Sequence, residues 1–240
     1  VDDARTITSD RSGNFYVSGG STGIGSDYDF ATVKYDSAGS QMWAARYNGP
    51  KSNYDLVYYQ GSVVVDSLKN VYITGYSTGL DSTLDYATLK YDSLGNQVWL
   101  RRFSTETGGT DYADALHVDK ALNVYVTGGS YKTGSDYEFA TIKYDLNGNQ
   151  QWVAYYNGTG NGWDEAYGVL TDDSLNVYVG GRSPGTTTSA DYQIIKYSPS
   201  GSQVWQIRYV HNGYDLPFNL RRDPKGCLFL GGWTSPANGM

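Results

Sequence analysis

Apolar and polar positions in this chain fall into short runs that recur at a nearly fixed interval. Residues 123–152 read as three successive strands: NVYVTG, rich in β-branched and aromatic residues, then EFATIKYD after a polar loop, then QQWVAYY after an Asp-Leu-Asn-Gly turn. The same unit recurs at residues 14–43, 70–99 and 176–205, and a fifth start, CLFLGG, begins at Cys227. Columns of identical residues fix the alignment. Trp43, Trp99, Trp152 and Trp205 are spaced 56, 53 and 53 residues apart, as are the Lys-Tyr pairs at Tyr35, Tyr91, Tyr144 and Tyr197. A glycine at 19, 75, 128, 181 and 232 ends the NVYVTG strand. No window carries helical periodicity over three turns.

A period near 50 with four strand signals per repeat predicts an all-β fold, a β-propeller of four-stranded antiparallel blades. The expected blades are residues 1–53, 54–109, 110–162 and 163–213, with a partial fifth at 214–240, all in one domain spanning 1–240. Each first strand runs into an Asp at 10, 66, 119, 172 or 223, placed to cap the amides of the next turn. Four positions earlier stand small residues, Thr6, Ser62, Ala115, Gly168 and Asn219, which suit a crowded strand near an axis. The three extra residues of the first interval fall between Asp55 and Asp66.

The fifth repeat stops after two strands, and the first has no spare strand to lend it. The strand bounded by Cys227 and Gly232 would then present an apolar edge, which proteins normally cover or charge. Either another chain or a further segment completes this blade, or the ring holds one two-stranded blade.

Thirty Gly, 24 Tyr and six Trp suit many short strands joined by turns. A net charge of −7 argues against a nucleic-acid partner, which needs clustered Lys and Arg. The lone Cys227 forms no internal disulfide, and no apolar run approaches the length of a membrane span. The chain opens at Val1 without a signal-peptide pattern, as expected of a cytosolic protein or a trimmed mature one.

NVYVTGGS, DYEFATIKYD and GNQQWVAYYNG resemble the SBBP β-propeller repeat of secreted bacterial proteins, over nearly the whole chain. The resemblance implies an extracellular or cell-envelope setting and carries no catalytic residues.

Alternating strand direction puts the longer, more variable loops on one face of such a propeller, where a ligand is expected. Two acidic columns lie there. Asp29, Asp85, Glu138 and Asp191 precede the third strands, either as a carboxylate ring for a cation or as acids that each cap a loop or pair with a Lys within their own repeats. The pairs Tyr54-Asp55, Asp111-Tyr112, Trp163-Asp164 and Tyr214-Asp215, with Asp2 in the first repeat, enter the first strands. Aromatic faces stack on sugar rings and carboxylates accept hydroxyl protons, so these pairs are a candidate glycan rim. The alternative is that each Asp fixes its loop. No metal or cofactor is expected, since no calcium-loop pattern or phosphate loop occurs.

Residues that break the repeat are His117, Asp114, Trp163, Glu165 and the pair Arg221-Arg222. His117 with Asp114 reads either as a base and its orienter or, for a lone His in a strand, as a satisfied structural residue, and a glycan-active hydrolase stands as an alternative. The expectation is nonetheless a non-enzymatic binding or structural module for protein or glycan, with a lectin as its first rival. Asp-Ser-apolar triplets at Ser37, Ser67, Ser93 and Ser174 resemble acceptors of a bacterial O-glycosylation system, or are ordinary Asp-Ser turns.

Overall fold

β-branched and aromatic runs bounded by Asp-initiated turns leave the backbone to pair its amides in antiparallel hairpins. A computed structural model describes residues 2–23, 25–59, 61–106, 108–187, 189–210 and 213–235, and among them there is no helix. The first sheet has the order β1 (Asp2–Ser9), β2 (Phe15–Thr22), β3 (Tyr28–Tyr35) and β4 (Gln41–Tyr47). In the second, the first strand is split into β5 (Asp55–Leu56) and β6 (Val63–Val65), both paired with β7 (Val71–Thr78). β8 (Leu84–Tyr91) and β9 (Gln97–Phe103) complete it. The third runs β10 (Asp111–Val118), β11 (Val124–Lys132), β12 (Asp136–Tyr144), β13 (Gln150–Tyr156). The fourth runs β14 (Glu165–Thr171), β15 (Val177–Ser183), β16 (Asp191–Tyr197), β17 (Gln203–Tyr209). β18 (Asp215–Arg222) and β19 (Leu228–Thr234) form a two-stranded sheet. The chain divides into two compact units, Val1–Leu116 and His117–Met240. None of the described residues forms a helix long and apolar enough to cross a membrane.

The Asp columns cap their turns as expected, and they reach further. Asp119 accepts the amides of Ala121 at 2.8 Å and Asn123 at 2.9 Å, the Asn123 side chain at 2.8 Å and the Tyr125 hydroxyl at 3.0 Å. Asp10, Asp66 and Asp172 take the same four donors. The network holds Lys69, Leu122 and Leu175 in the left-handed region, at φ of 66°, 64° and 63°. At Asp10 burial raises the carboxyl, but bonds from the Asn14 side chain and amide, the Tyr16 hydroxyl and the Ser12 amide outweigh it, leaving about 2. In the fifth repeat Cys227 and Phe229 replace the Asn and Tyr, so Asp223 keeps only the amide bonds from Lys225 and Cys227.

The glycine column does not end its strand: β2, β7, β11, β15 and β19 each run two to four residues past it. The reason lies across the ladder. Pairing passes from Ala166↔Gly181 to Gly168↔Gly180, so Tyr167 bulges out of the first strand. Arg5 and Phe218 do the same in theirs. The preceding carbonyl is thereby pressed onto the glycine: a Cβ would stand 2.1 Å from the Glu165 oxygen at Gly181 and 2.0 Å from the Asp3 oxygen at Gly19. In the second sheet the three extra residues lie at this same place, and the strand breaks there instead of bulging.

Within each unit, successive sheets pack against one another, with the first strand of one near the first or second strand of its neighbour. β1 lies against β6 in one unit; β14 lies between β11 and β18 in the other. Trp43 packs between Tyr16 of its own sheet and Tyr91 of the next, at 6.2 and 6.3 Å. Trp152 repeats this with Tyr125 and Tyr197 at 6.1 and 6.3 Å. Around Trp43 and Ala45, the side chains of Val63, Ile73, Ala87 and Leu89 close an apolar core.

Candidate functional site

The acids expected ahead of the third strands lie within them, paired across the ladder with Ser21, Ser77, Ser130 and Ser183. Each is held by a base of its own sheet, an Arg in three sheets where a Lys was expected. Arg46 reaches Asp29 at 2.9 Å, Arg102 reaches Asp85 at 2.7 Å and Arg208 reaches Asp191 at 3.5 Å. Each arginine stands three residues after the Trp, a Trp-x-x-Arg signal that the sequence reading passed over. The third repeat has Tyr155 at that place, and there Lys132 from the second strand takes over, 3.6 Å from Glu138. Among the described residues, no group of three or more His, Cys, Asp or Glu side chains is placed to hold a metal ion.

The acids entering the first strands are turned inward. Asp55, Asp111, Asp164 and Asp215 are fully buried, while Asp2 is exposed. The Gly158 amide donates to Asp164 at 2.8 Å and the Thr105 amide to Asp111 at 3.2 Å, so these carboxylates tie down the loop before the strand. Burial pushes the Asp164 carboxyl up to about 6, against the opposing pull of the Ser183 hydroxyl, the Gly158 amide and the Arg208 charge. Their aromatic neighbours point outward: Tyr54 and Trp163 are 44% and 41% exposed, and Tyr112 and Tyr214 are half-buried. Ser37, Ser67 and Ser174 are exposed in tight turns, whereas Ser93 is half-buried and its carbonyl accepts the Trp43 indole.

One cluster departs from the repeat, and it gathers two of the off-pattern residues. Trp163 stacks on Tyr137 at 4.7 Å with the rings 22° apart. Arg182, in a column otherwise filled by Gly20, Tyr76, Gly129 and Trp233, lays its guanidinium 4.9 Å from the Trp163 ring and 5.9 Å from that of Tyr214. Its Nη2 pairs with Glu165 at 3.1 Å, and its Nη1 donates to the Tyr214 hydroxyl. The Tyr167 hydroxyl, on the bulge of β14, donates to Glu165. Burial raises the Glu165 carboxyl, opposed by Tyr167 and Arg182. The outcome is a stack of two rings, the indole exposed and the phenol half-buried, with a half-buried, braced guanidinium against the indole. A flat apolar ring face with a charged, hydrogen-bonding rim is what such a surface can hold.

No known family matches the chain, and no curated protein does. Solved structures do. A protein of unknown function from Dyadobacter fermentans DSM 18053 is similar at a TM-score of 0.54 and 8% identity, over 94% of this chain and 73% of that one. Another of unknown function, from Bacteroides caccae, is similar at a TM-score of 0.49 and 10% identity, over 96% and 71%. The Dyadobacter likeness is one of fold.

Asp114 and His117 fare differently from that cluster. Asp114 is fully buried. The His117 Nε2 lies 3.0 Å from the Thr171 hydroxyl, beside the Tyr125 ring. Burial lowers its pKa to about 4, with the Asp119 charge offsetting only part. The sign follows directly. Above pH 6.5 the ring is neutral in both states; between 6.5 and 4 only the unfolded chain takes the proton, so stability falls as pH falls. A shift of that size is worth about 3 kcal/mol, so His117→Asn should be less acid-sensitive than the parent by that amount between pH 7 and 4. Parallel urea titrations at the two pH values measure it, and equal pH slopes would refute it.

Proposed function

We propose that the chain is β-propeller in architecture and acts outside the cell, or in the cell envelope, as a non-enzymatic binding module for a protein or glycan. Three things support the reading: the 53-residue repeat, the packing of successive four-stranded antiparallel sheets against one another, and the resemblance to a secreted repeat family. The observation that carries the binding role is the Arg182–Glu165 pair set against the Tyr137–Trp163 stack, because the ring pair recurs as Tyr28–Tyr54 whereas the guanidinium against the indole breaks the repeat. A column present in every repeat serves the fold. The Arg182–Glu165 pair beside the half-exposed indole of Trp163 occurs once and has no such duty.

The stack favours a glycan ligand, since a sugar's C–H face stacks on indole while its hydroxyls meet polar groups at the rim. The hydrolytic alternative draws less support: Glu165 is closed in by Tyr167 and Arg182, and Asp114 is buried. Screening the purified chain on a glycan array, then titrating any hit, tests the proposal. Trp163→Ala should weaken binding at least tenfold while leaving the thermal midpoint within a few degrees. Glycan binding indifferent to Trp163, or no hit at all, would move the role to protein scaffolding.

A further inference from the structure

Three bases stand around the Tyr137–Trp163 stack, and each is committed to an acid of its own sheet. Lys132 pairs with Glu138 at 3.6 Å, Arg182 with Glu165 at 3.1 Å and Arg208 with Asp191 at 3.5 Å. Arg182 lies against the indole, yet its guanidinium has no edge to offer. Nη1 donates to the Tyr214 hydroxyl and Nη2 meets Glu165. Nε is closed off from water, with no acceptor among the described residues. Arg208 is engaged as well: its Nη2 donates to the Ser183 hydroxyl at 2.6 Å and the Pro184 carbonyl at 3.2 Å. Carboxylates and sulfates are held best by two parallel N–H bonds from one guanidinium edge, and none is open here.

The remaining charge is negative. Asp136 is exposed at the head of β12, next to Tyr137. Asp164 and Asp215 directly follow Trp163 and Tyr214 and are fully buried. With its carboxyl near 6, Asp164 is ionised at neutral pH. The loop that leads into Trp163 offers neutral groups instead, since Asn157, Thr159 and Asn161 are exposed. The Asn157 side chain donates to the Asn161 oxygen at 2.6 Å, and the Asn161 side chain donates to the Gly134 carbonyl at 3.0 Å. That loop is thereby fixed against the tip of the β11–β12 hairpin.

We infer that the Trp163 site takes an uncharged sugar ring and rejects the counterpart bearing a carboxylate or a sulfate ester. This deepens the glycan reading and rests on it. An uncharged ring lays its C–H face on the open part of the indole, and its hydroxyls exchange water for the amides and hydroxyl of Asn157, Thr159 and Asn161. An acid group brought to the same place meets Asp136 and the ionised Asp164. It finds a guanidinium edge only if Arg182 releases Glu165, which would leave that carboxylate buried without its base. The ion pairs that hold the loops are thus also what excludes an anion.

The probes are twin oligosaccharides on one array. Galactose oligomers are set against galacturonic acid oligomers, and N-acetylglucosamine oligomers against their 6-sulfated forms. At least one uncharged twin is expected to bind, about tenfold or more tighter than its acidic twin at about 0.01 M salt. The gap should narrow at about 1 M salt, where the screening length drops from roughly 30 Å to roughly 3 Å. Asp136→Asn should narrow it by about threefold at low salt, the effect of one exposed charge several ångströms away. Asp136 has a φ of 63°, which Asn also adopts, so the thermal midpoint should stay within a few degrees. An acidic twin bound as tightly as its uncharged partner overturns the inference while the glycan reading stands. So does a gap indifferent both to salt and to Asp136→Asn. If no member of any pair binds, the glycan reading and this inference fall together.

Discussion

Gly181→Ala should destabilise the protein by about 3 kcal/mol or more, a large effect for one methyl group. The added carbon would stand 2.1 Å from the Glu165 carbonyl oxygen and 2.6 Å from the Ala166 Cα, so backbone and not a pliable side chain must move. Gly129→Ala is the control. It lies one residue beyond the equivalent glycine, and its nearest neighbour would be the Glu165 side chain at 3.5 Å, an ordinary contact. That change should be within about 1 kcal/mol of neutral. Chemical denaturation read by tryptophan fluorescence compares the two. Similar midpoints for both variants would mean that the bulge in β14 relaxes freely and that the glycine column has another cause.

Asp119→Ala should cost about 3–5 kcal/mol, because one carboxylate closes four hydrogen bonds and its loss strands the buried Tyr125 hydroxyl. Asp223→Ala should cost about 1 kcal/mol, with only two amides to lose and no Tyr or Asn side chain in the set. The same denaturation assay ranks them. Equal losses would show that the amide bonds alone carry the turn. For Asp10, held at about 2, the stabilisation is complete above about pH 4 and disappears as pH falls toward 2.

Much of the fold was legible because it is written five times. A Trp in each of the four four-stranded sheets, and in all five a glycine across from a carbonyl and an Asp ahead of a turn, each answer a local demand that the sheets share. The columns therefore located the strands and placed the three extra residues within the first strand of the second sheet. They did not tell that the glycine lies mid-strand, since the bulge opposite it depends on pairing between strands and leaves no mark in either one alone. The acids at Asp55, Asp111, Asp164 and Asp215 read equally well as rim or as anchor. Burial decided their orientation, and it is a property of how the loop folds back over them. Arg182 was the hardest to see. An arginine where other repeats have glycine, tyrosine or tryptophan gains meaning only when Trp163, Glu165 and Tyr214 are found around it.

Trp43 and Trp152, whose indoles donate to the Ser93 and Pro199 carbonyls, also set a polarity. At both, the indole belongs to the earlier repeat and the receiving turn to the later one. Repeats joined in this manner resemble links with a hook at one end and an eye at the other. A whole link can be duplicated or removed by recombination without redesigning a joint, whereas a reversed link would meet its neighbour hook to hook. Growth in units of about 53 residues, always in the same orientation, is the kind of sequence change that this geometry tolerates.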